Sequence, residues 1–280
     1  MVSERVGQFF VDRHRLEYTE YGTGSRWVVL IHGQLMVRQM HRPLARALAA
    51  EGLHVVTVDL LGHGRSDRPD DAQLYSMGAF AEQVVALLDH LGAETAVVGG
   101  TSLGANVSLE VAVAAPDRVQ GLLIEMPVLD NAVEAGLIAF GPMLFAARFL
   151  PFTVSLTRAV SRAVPRGMVP FWAGIVLDTM NQRPRPMAAA IHGIFFGRIA
   201  PGSRLRRAIT APMLVVGHPR DPVHPAADAA MLADEVEGAR FVRARSILEW
   251  RVAPERLDRE AAEFAVACWD GSLGQRLAGT

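Results

Sequence analysis

The chain contains no lysine. All 28 of its basic residues are arginine, and with the abundance of alanine this points to a GC-rich, bacterial genome more than to a function. Against 29 acids the net charge is −1, and no run of five like charges occurs. The sequence therefore offers no long-range attraction for nucleic acid or for an anionic membrane. A single cysteine, Cys268, excludes an internal disulfide, leaves the redox compartment open, and is expected to pack within a helix. No apolar run is long enough to span a bilayer. The longest, Ala135 to Ala147, contains Gly141-Pro142 and reads as a broken pair of helices. The stretch Met1 to Leu16 alternates charged and apolar residues and lacks the continuous apolar segment of a signal peptide, so a cytoplasmic location is the expectation. The nine histidines show no His-Glu-x-x-His or comparable spacing, so no metal is expected. No histidine follows His224.

What is present supports one large domain with an insertion, since 280 residues, half of them apolar, can bury a sizeable core. Short strands are expected at Gln8 to Val11 and Leu16 to Tyr21. Buried strands follow at Trp27 to Ile31, His54 to Asp59, Thr95 to Gly99 and Val119 to Glu125. Helical spacing separates them at His41 to Glu51, Phe80 to Leu91 and Ala105 to Ala115. Alternation of this kind predicts an α/β fold with a mostly parallel central sheet covered by helices on both faces. From Met126 to about Arg207 the alternation lapses into Met-, Phe-, Pro- and Arg-rich helical stretches broken at Pro142, Pro151, Pro165, Pro170, Pro184 and Pro201. That segment, 126–207, reads as an inserted helical cap, with 1–125 and 208–280 as the core. The sheet resumes at Pro212 to Gly217 and Arg240 to Arg243, and a helix from Pro254 to about Trp269 closes the chain.

Chemistry concentrates at Val97-Val98-Gly99-Gly100-Thr101-Ser102-Leu103-Gly104, a buried strand running through Gly-x-Ser-x-Gly into a helix. This is the context of a nucleophile elbow. A serine on so sharp a turn leaves no room for side chains two residues before or after it. The same turn aims the Leu103 N–H, at a helix N-terminus, at an oxyanion forming beside Ser102. Acyl transfer is the implied chemistry.

With these landmarks in order, the chain resembles the α/β-hydrolase fold family. His32-Gly33 after the early buried strand looks like the family's oxyanion motif. Gly62-His63-Gly64-Arg65-Ser66-Asp67 resembles its Gly-x-Gly-x-Ser-Asp segment, and Gly217-x-x-x-Asp221 its acid loop. The pattern is similar to the capped esterase, lipase and carbon–carbon bond hydrolase branches. The resemblance implies Ser102 as nucleophile, the N–H groups of Leu103 and Gln34 as oxyanion donors, and Asp221 as the carboxylate that orients a histidine. Glu125, at the end of the strand after the elbow helix, is the rival acid position. It also implies a histidine shortly before Pro254-Glu255, where this chain reads Arg245-Ser246-Ile247-Leu248-Glu249-Trp250-Arg251.

Four resolutions stand open: His224 swinging in from the acid loop, Glu249 acting as a carboxylate base of raised pKa, a base supplied by substrate, or none. Phe140, Met143, Phe145, Phe171, Trp172 and Phe195 are the cap side chains expected to line a pocket for a small apolar or acyl-chain substrate. The cap could otherwise form a dimer face or touch a membrane. The expected activity is a cofactor-free serine esterase with a rerouted or impaired base. The alternative is a non-hydrolytic member of the fold: a ligand binder, or a lyase or cyclase using the pocket without a covalent intermediate.

Overall fold

The computed structural model describes residues 2–272. An antiparallel hairpin, β1 (Glu4–Val11) and β2 (His14–Tyr21), opens the chain. Next come β3 (Trp27–Ile31), α1 (Arg42–Ala50), β4 (His54–Asp59), α2 (Met77–Leu91), β5 (Ala96–Thr101), α3 (Leu103–Ala114) and β6 (Val119–Glu125). Four helices then intervene without a strand: α4 (Val133–Phe149), α5 (Pro151–Ala163), α6 (Phe171–Met180) and α7 (Pro184–Phe195). The described residues continue through α8 (Ser203–Arg206), β7 (Met213–Gly217), α9 (Ala226–Glu235), β8 (Arg240–Arg243), α10 (Glu249–Val252) and α11 (Glu255–Trp269).

The eight strands form one sheet in the order β1-β2-β4-β3-β5-β6-β7-β8. From β4 to β8 all neighbours are parallel, and only β2 runs against the rest. The continuous apolar runs of the inner strands follow from burial on both faces. Because side chains alternate along a strand, Val28 and Leu30 pack with α1 and α11 while Val29 and Ile31 pack with α2 and α3. Ser76 caps α2 by accepting from Ala79 N–H at 3.1 Å, and Gly92, at φ 66°, ends it. Cys268 is buried in α11. Asp67 accepts from the Arg15 N–H at 2.8 Å and so ties its turn to β2.

One expectation fails. Gly141-Pro142 does not break the apolar run, and α4 continues through it to Phe149. Pro142 leaves the carbonyl of residue 138 without its helical donor, but Ile138 and Pro142 both face solvent, where water can take that place. The break comes at Leu150-Pro151, where α5 departs at 104°. The four-helix segment is pinned at both ends by one side chain of α3. Asn106 donates to the carbonyls of Val128 (2.7 Å) and Ile199 (2.6 Å) and accepts from Val128 N–H (3.1 Å). Fully buried Asp228 on α9 holds the loop that leads into α4 by accepting from Leu129 and Asn131 N–H. On the other side α8 is bound to α9 through Arg206 and Glu235 at 2.5 Å.

Candidate active site

The chain passes from β3 to β4 on one flank of β3, while β5 lies on the other. At such a reversal of strand order the loops after the two strands diverge and leave a crevice at their C-terminal ends. Gln34 follows β3 and Ser102 follows β5, and both open on that crevice. Ser102 sits at φ 56°, ψ −110°, a conformation that costs about 1–3 kcal/mol in a non-glycine residue. Close packing of the turn on β3 enforces it. A Cβ on Gly100 would lie 2.3 Å from the Ile31 carbonyl oxygen and one on Gly104 2.0 Å from it. The Ser102 N–H is held by the Glu125 carbonyl at 2.9 Å.

The imidazole comes from the loop after β7. His224 Nε2 lies 2.8 Å from Ser102 Oγ, and His224 Nδ1 lies 2.9 Å from Asp221 Oδ2. The other carboxylate oxygen, Asp221 Oδ1, accepts from the N–H groups of Val223 (2.8 Å) and His224 (2.9 Å). Acid and imidazole are thus fixed three residues apart in a single turn, which the chain enters through Arg220 at φ 59°. Burial works against the Asp221 carboxylate, but its bonds to His224 and to the two N–H groups outweigh this and lower its pKa. With Nδ1–H donated to Asp221, Nε2 carries the lone pair that the serine hydroxyl can donate to.

Leu103 and Gln34 wall the same cavity as Ser102 and His224. Their backbone N–H groups have no protein acceptor among the described residues. The Gln34 side-chain amide is buried, with neither Oε1 nor Nε2 hydrogen-bonded among the described residues. An unpaired buried amide is costly in a finished structure and is suited to a group that pairs only when a substrate arrives. The cavity is about 30 Å³, room for a water or two. Its apolar wall is Met77, Val128, Phe140, Ile194, Phe195 and Ile199, and among the described residues no carboxylate or guanidinium reaches it.

Other candidates lie elsewhere. Met143 packs inward on Leu35, Met187 and Ile191, and Phe145 is exposed on the outer side of α4. Phe171 stacks edge-on against Trp172, which packs beside Val37, Met40 and Ile175 and donates its indole N–H to the Arg251 carbonyl at 2.7 Å. Glu249 is paired with Arg256 at 2.7 Å, which first of all holds its pKa down, the reverse of what a carboxylate base needs.

Glu125 is the centre of a separate buried cluster. Arg251 Nη2 contacts both its oxygens at 2.9 and 2.8 Å, His218 Nε2 lies 3.0 Å from Oε1, and the Thr101 hydroxyl donates to Oε2. Burial opposes its charge, yet Arg251 and His218 prevail and hold the carboxyl far below the ordinary range. For His218 burial favours the neutral ring, and the bond to Glu125 outweighs it, so its pKa rises. Its Nδ1 donates to the Ser246 carbonyl at 3.1 Å. The loop in which the resemblance implied a histidine is therefore engaged with Glu125 and His218. Asn106, Met77, Val128 and Ile199 were not foreseen as cavity residues. Of these only Asn106, a polar residue one turn beyond Ser102 in a mostly apolar helix, carried a signal that could have marked it.

Comparison with known proteins accords with this architecture. A family model described as the alpha/beta hydrolase fold matches residues 26–191, more than half of the chain, and the chain belongs to that family. It is 28% identical over 243 residues to rhodomycin D methylesterase of a Streptomyces species, covering 77% of this chain and 81% of that protein. It is 29% identical over 147 residues to a haloalkane dehalogenase of Mycolicibacterium paratuberculosis, covering 50% and 49%. To epoxide hydrolase A of Mycobacterium tuberculosis it is 35% identical over 120 residues, covering 42% and 37%. The chain thus spans half or less of the dehalogenase and the epoxide hydrolase. These three relatives are hydrolases. Among solved structures, a hydrolase from Pseudomonas aeruginosa superposes with a TM-score of 0.76 at 20% identity, over 92% of this chain and 97% of that one. The enol-lactonase of Burkholderia xenovorans gives 0.74 at 21%, over 93% and 100%. At such identities the likeness is one of fold.

Proposed function

We propose that this protein is a serine-dependent carboxylic ester hydrolase whose base, His224, stands on the acid loop. The carrying observation is the pair of hydrogen bonds from Ser102 Oγ through His224 to Asp221, 2.8 and 2.9 Å long. As Ser102 Oγ attacks an ester carbonyl carbon, its proton passes to His224 Nε2, and Asp221 stabilises the imidazolium. Negative charge gathers on the former carbonyl oxygen, and the N–H groups of Leu103 and Gln34 are the proposed donors to it. His224 then returns the proton to the departing alkoxide, leaving Ser102 acylated. A water, deprotonated by the same ring, releases the acid and restores the serine. No cofactor takes part. An uncharged apolar wall favours a neutral ester with an apolar acyl or alkyl group, and a methylesterase matching along four fifths of its length agrees with that reading.

Turnover of short p-nitrophenyl esters tests it, together with labelling of Ser102 by a fluorophosphonate. Ser102→Ala and His224→Ala should each lower kcat by about 10³-fold or more and should abolish labelling or slow it to the same degree. A His224→Ala enzyme with unchanged turnover would remove the proposed base. Apolar-ligand binding with no ester turnover in the wild type would favour the non-hydrolytic alternative.

A further inference from the structure

Helices α4 and α5 carry apolar stripes that nothing among the described residues covers. On α4, Ile138, Phe145 and Phe149 follow one another at helical spacing and are exposed, Ile138 to 77% and Phe149 to 66%. On α5, Phe152, Leu156 and Val160 recur every four residues, with Phe152 exposed to 76%. A stripe of that period is what a helix ordinarily buries. In α4 the opposite side is already buried against Leu35, Met187 and Ile191, so the helix is apolar around its whole circumference. A hollow of about 990 Å³ opens on this outer side, among Phe145, Phe149 and Phe196, with Arg148 and Arg185 in its wall against one acid, Asp70.

Charge is segregated onto the same stretch of chain, with Arg148 on α4 and Arg158 and Arg162 on α5. Residues 133–195 contain six arginines (148, 158, 162, 166, 183 and 185) against two acids, Glu134 and Asp178. The near-neutral chain therefore divides into a segment of formal charge +4 and a remainder of −5. Arg166 has Asp178 at 2.9 Å, whereas among the described residues Arg158 bonds only the neutral side-chain oxygen of Asn181. Burial, and then the charges of Arg162 and Arg183, lower the Arg158 pKa, the mark of cations gathered without counter-ions.

A two-fold dimer through this face would set one arginine rim against another. An anionic bilayer would instead meet guanidinium groups with phosphates and accept the phenylalanines at its acyl boundary. We propose that the outer face of α4 and α5 docks on the surface of a membrane containing anionic phospholipid. Among the described residues no single helix is long and apolar enough to cross a bilayer, and the two helices are bent by 104°, so the hairpin lies in the interface.

Co-sedimentation with phosphatidylcholine vesicles, with and without about 30% phosphatidylglycerol, tests the proposal. Ser102→Ala protein is used so that lipid hydrolysis plays no part, which also separates this test from the esterase reading. Binding should require phosphatidylglycerol and should fall in about 0.5 M salt, where charges are screened within a few ångströms. Phe149→Ser/Phe152→Ser and Arg158→Gln/Arg162→Gln should each weaken it about tenfold or more while keeping the wild-type melting temperature, since all four side chains face outward or bond neutral groups. Absence of binding to either vesicle, or binding indifferent to both pairs of substitutions, overturns the proposal. A concentration-dependent dimer lost in Phe149→Ser/Phe152→Ser, without vesicle binding, assigns the face to a second copy and overturns it equally.

Discussion

Two carboxylates near the elbow are separated in role by what touches them. Asp221 bonds His224, whereas both oxygens of Glu125 are taken up by Arg251, His218 and Thr101. In Asp221→Asn the retained Oδ1 can still hold the Val223 and His224 N–H groups, so the turn survives. The amide nitrogen, however, faces His224 Nδ1 and selects the tautomer with its proton on Nε2, which cannot accept from Ser102. A fall in kcat of about 10³ to 10⁴-fold with little change in melting temperature is expected. Glu125→Gln should do the opposite. It strips Arg251 and His218 of their buried counter-charge, at a cost of about 3 kcal/mol, while leaving the contacts of Ser102 with His224 in place. Thermal melts and esterase kinetics on both variants decide the matter. A Glu125→Gln protein that melts normally but loses as much turnover as Asp221→Asn would make Glu125 the acid.

At the level of elements, α4 shows both the reach of sequence patterns and their limit. Pro142 lies inside it on the solvent side, where proline costs up to about 3 kcal/mol relative to alanine. Pro142→Ala should therefore raise stability, by about 1–3 kcal/mol, read as a higher midpoint in a thermal melt. A lowered midpoint would mean that the helix needs its proline. The inner strands were legible because burial on both faces writes them as unbroken Val and Ile runs. The elbow was legible because its glycines are dictated by the Ile31 carbonyl. Which way α4 faces was not legible, since a helix apolar on all sides has no periodicity to read. Phe140 turns to the cavity and Phe145 to solvent on the same helix. The meeting of His224 with Ser102 was also hidden, because it depends on the backbone turn at Arg220, a residue type that seldom takes positive φ. The sequence could offer His224 as one of four resolutions and no more.

Across the whole molecule, buried histidines set the response to acid. His32, His41 and His63 are enclosed, and burial first of all lowers their pKa values, that of His41 to about 4 from an ordinary 6.5. Between those two values the unfolded chain binds a proton that folded His41 refuses, so stability rises with pH across the window and falls as pH drops from 6.5 towards 4. For His41 alone this amounts to about 3 kcal/mol. His218 acts in the contrary sense. Its folded pKa is raised, so its contribution is complete below the unfolded value and is lost as pH climbs through the folded one. Glu125 and Asp221, both lowered, contribute above their ordinary carboxylate values and lose that contribution only in stronger acid. The stability maximum should accordingly lie near neutrality, with the steeper flank on the acid side. His41→Gln keeps an N–H able to reach the Ile31 carbonyl, which the ring now meets at 3.0 Å, but cannot titrate. Its melting temperature should therefore fall less than that of the wild type between pH 6.5 and 4. Identical acid slopes in the two proteins would show that His41 takes up its proton without unfolding.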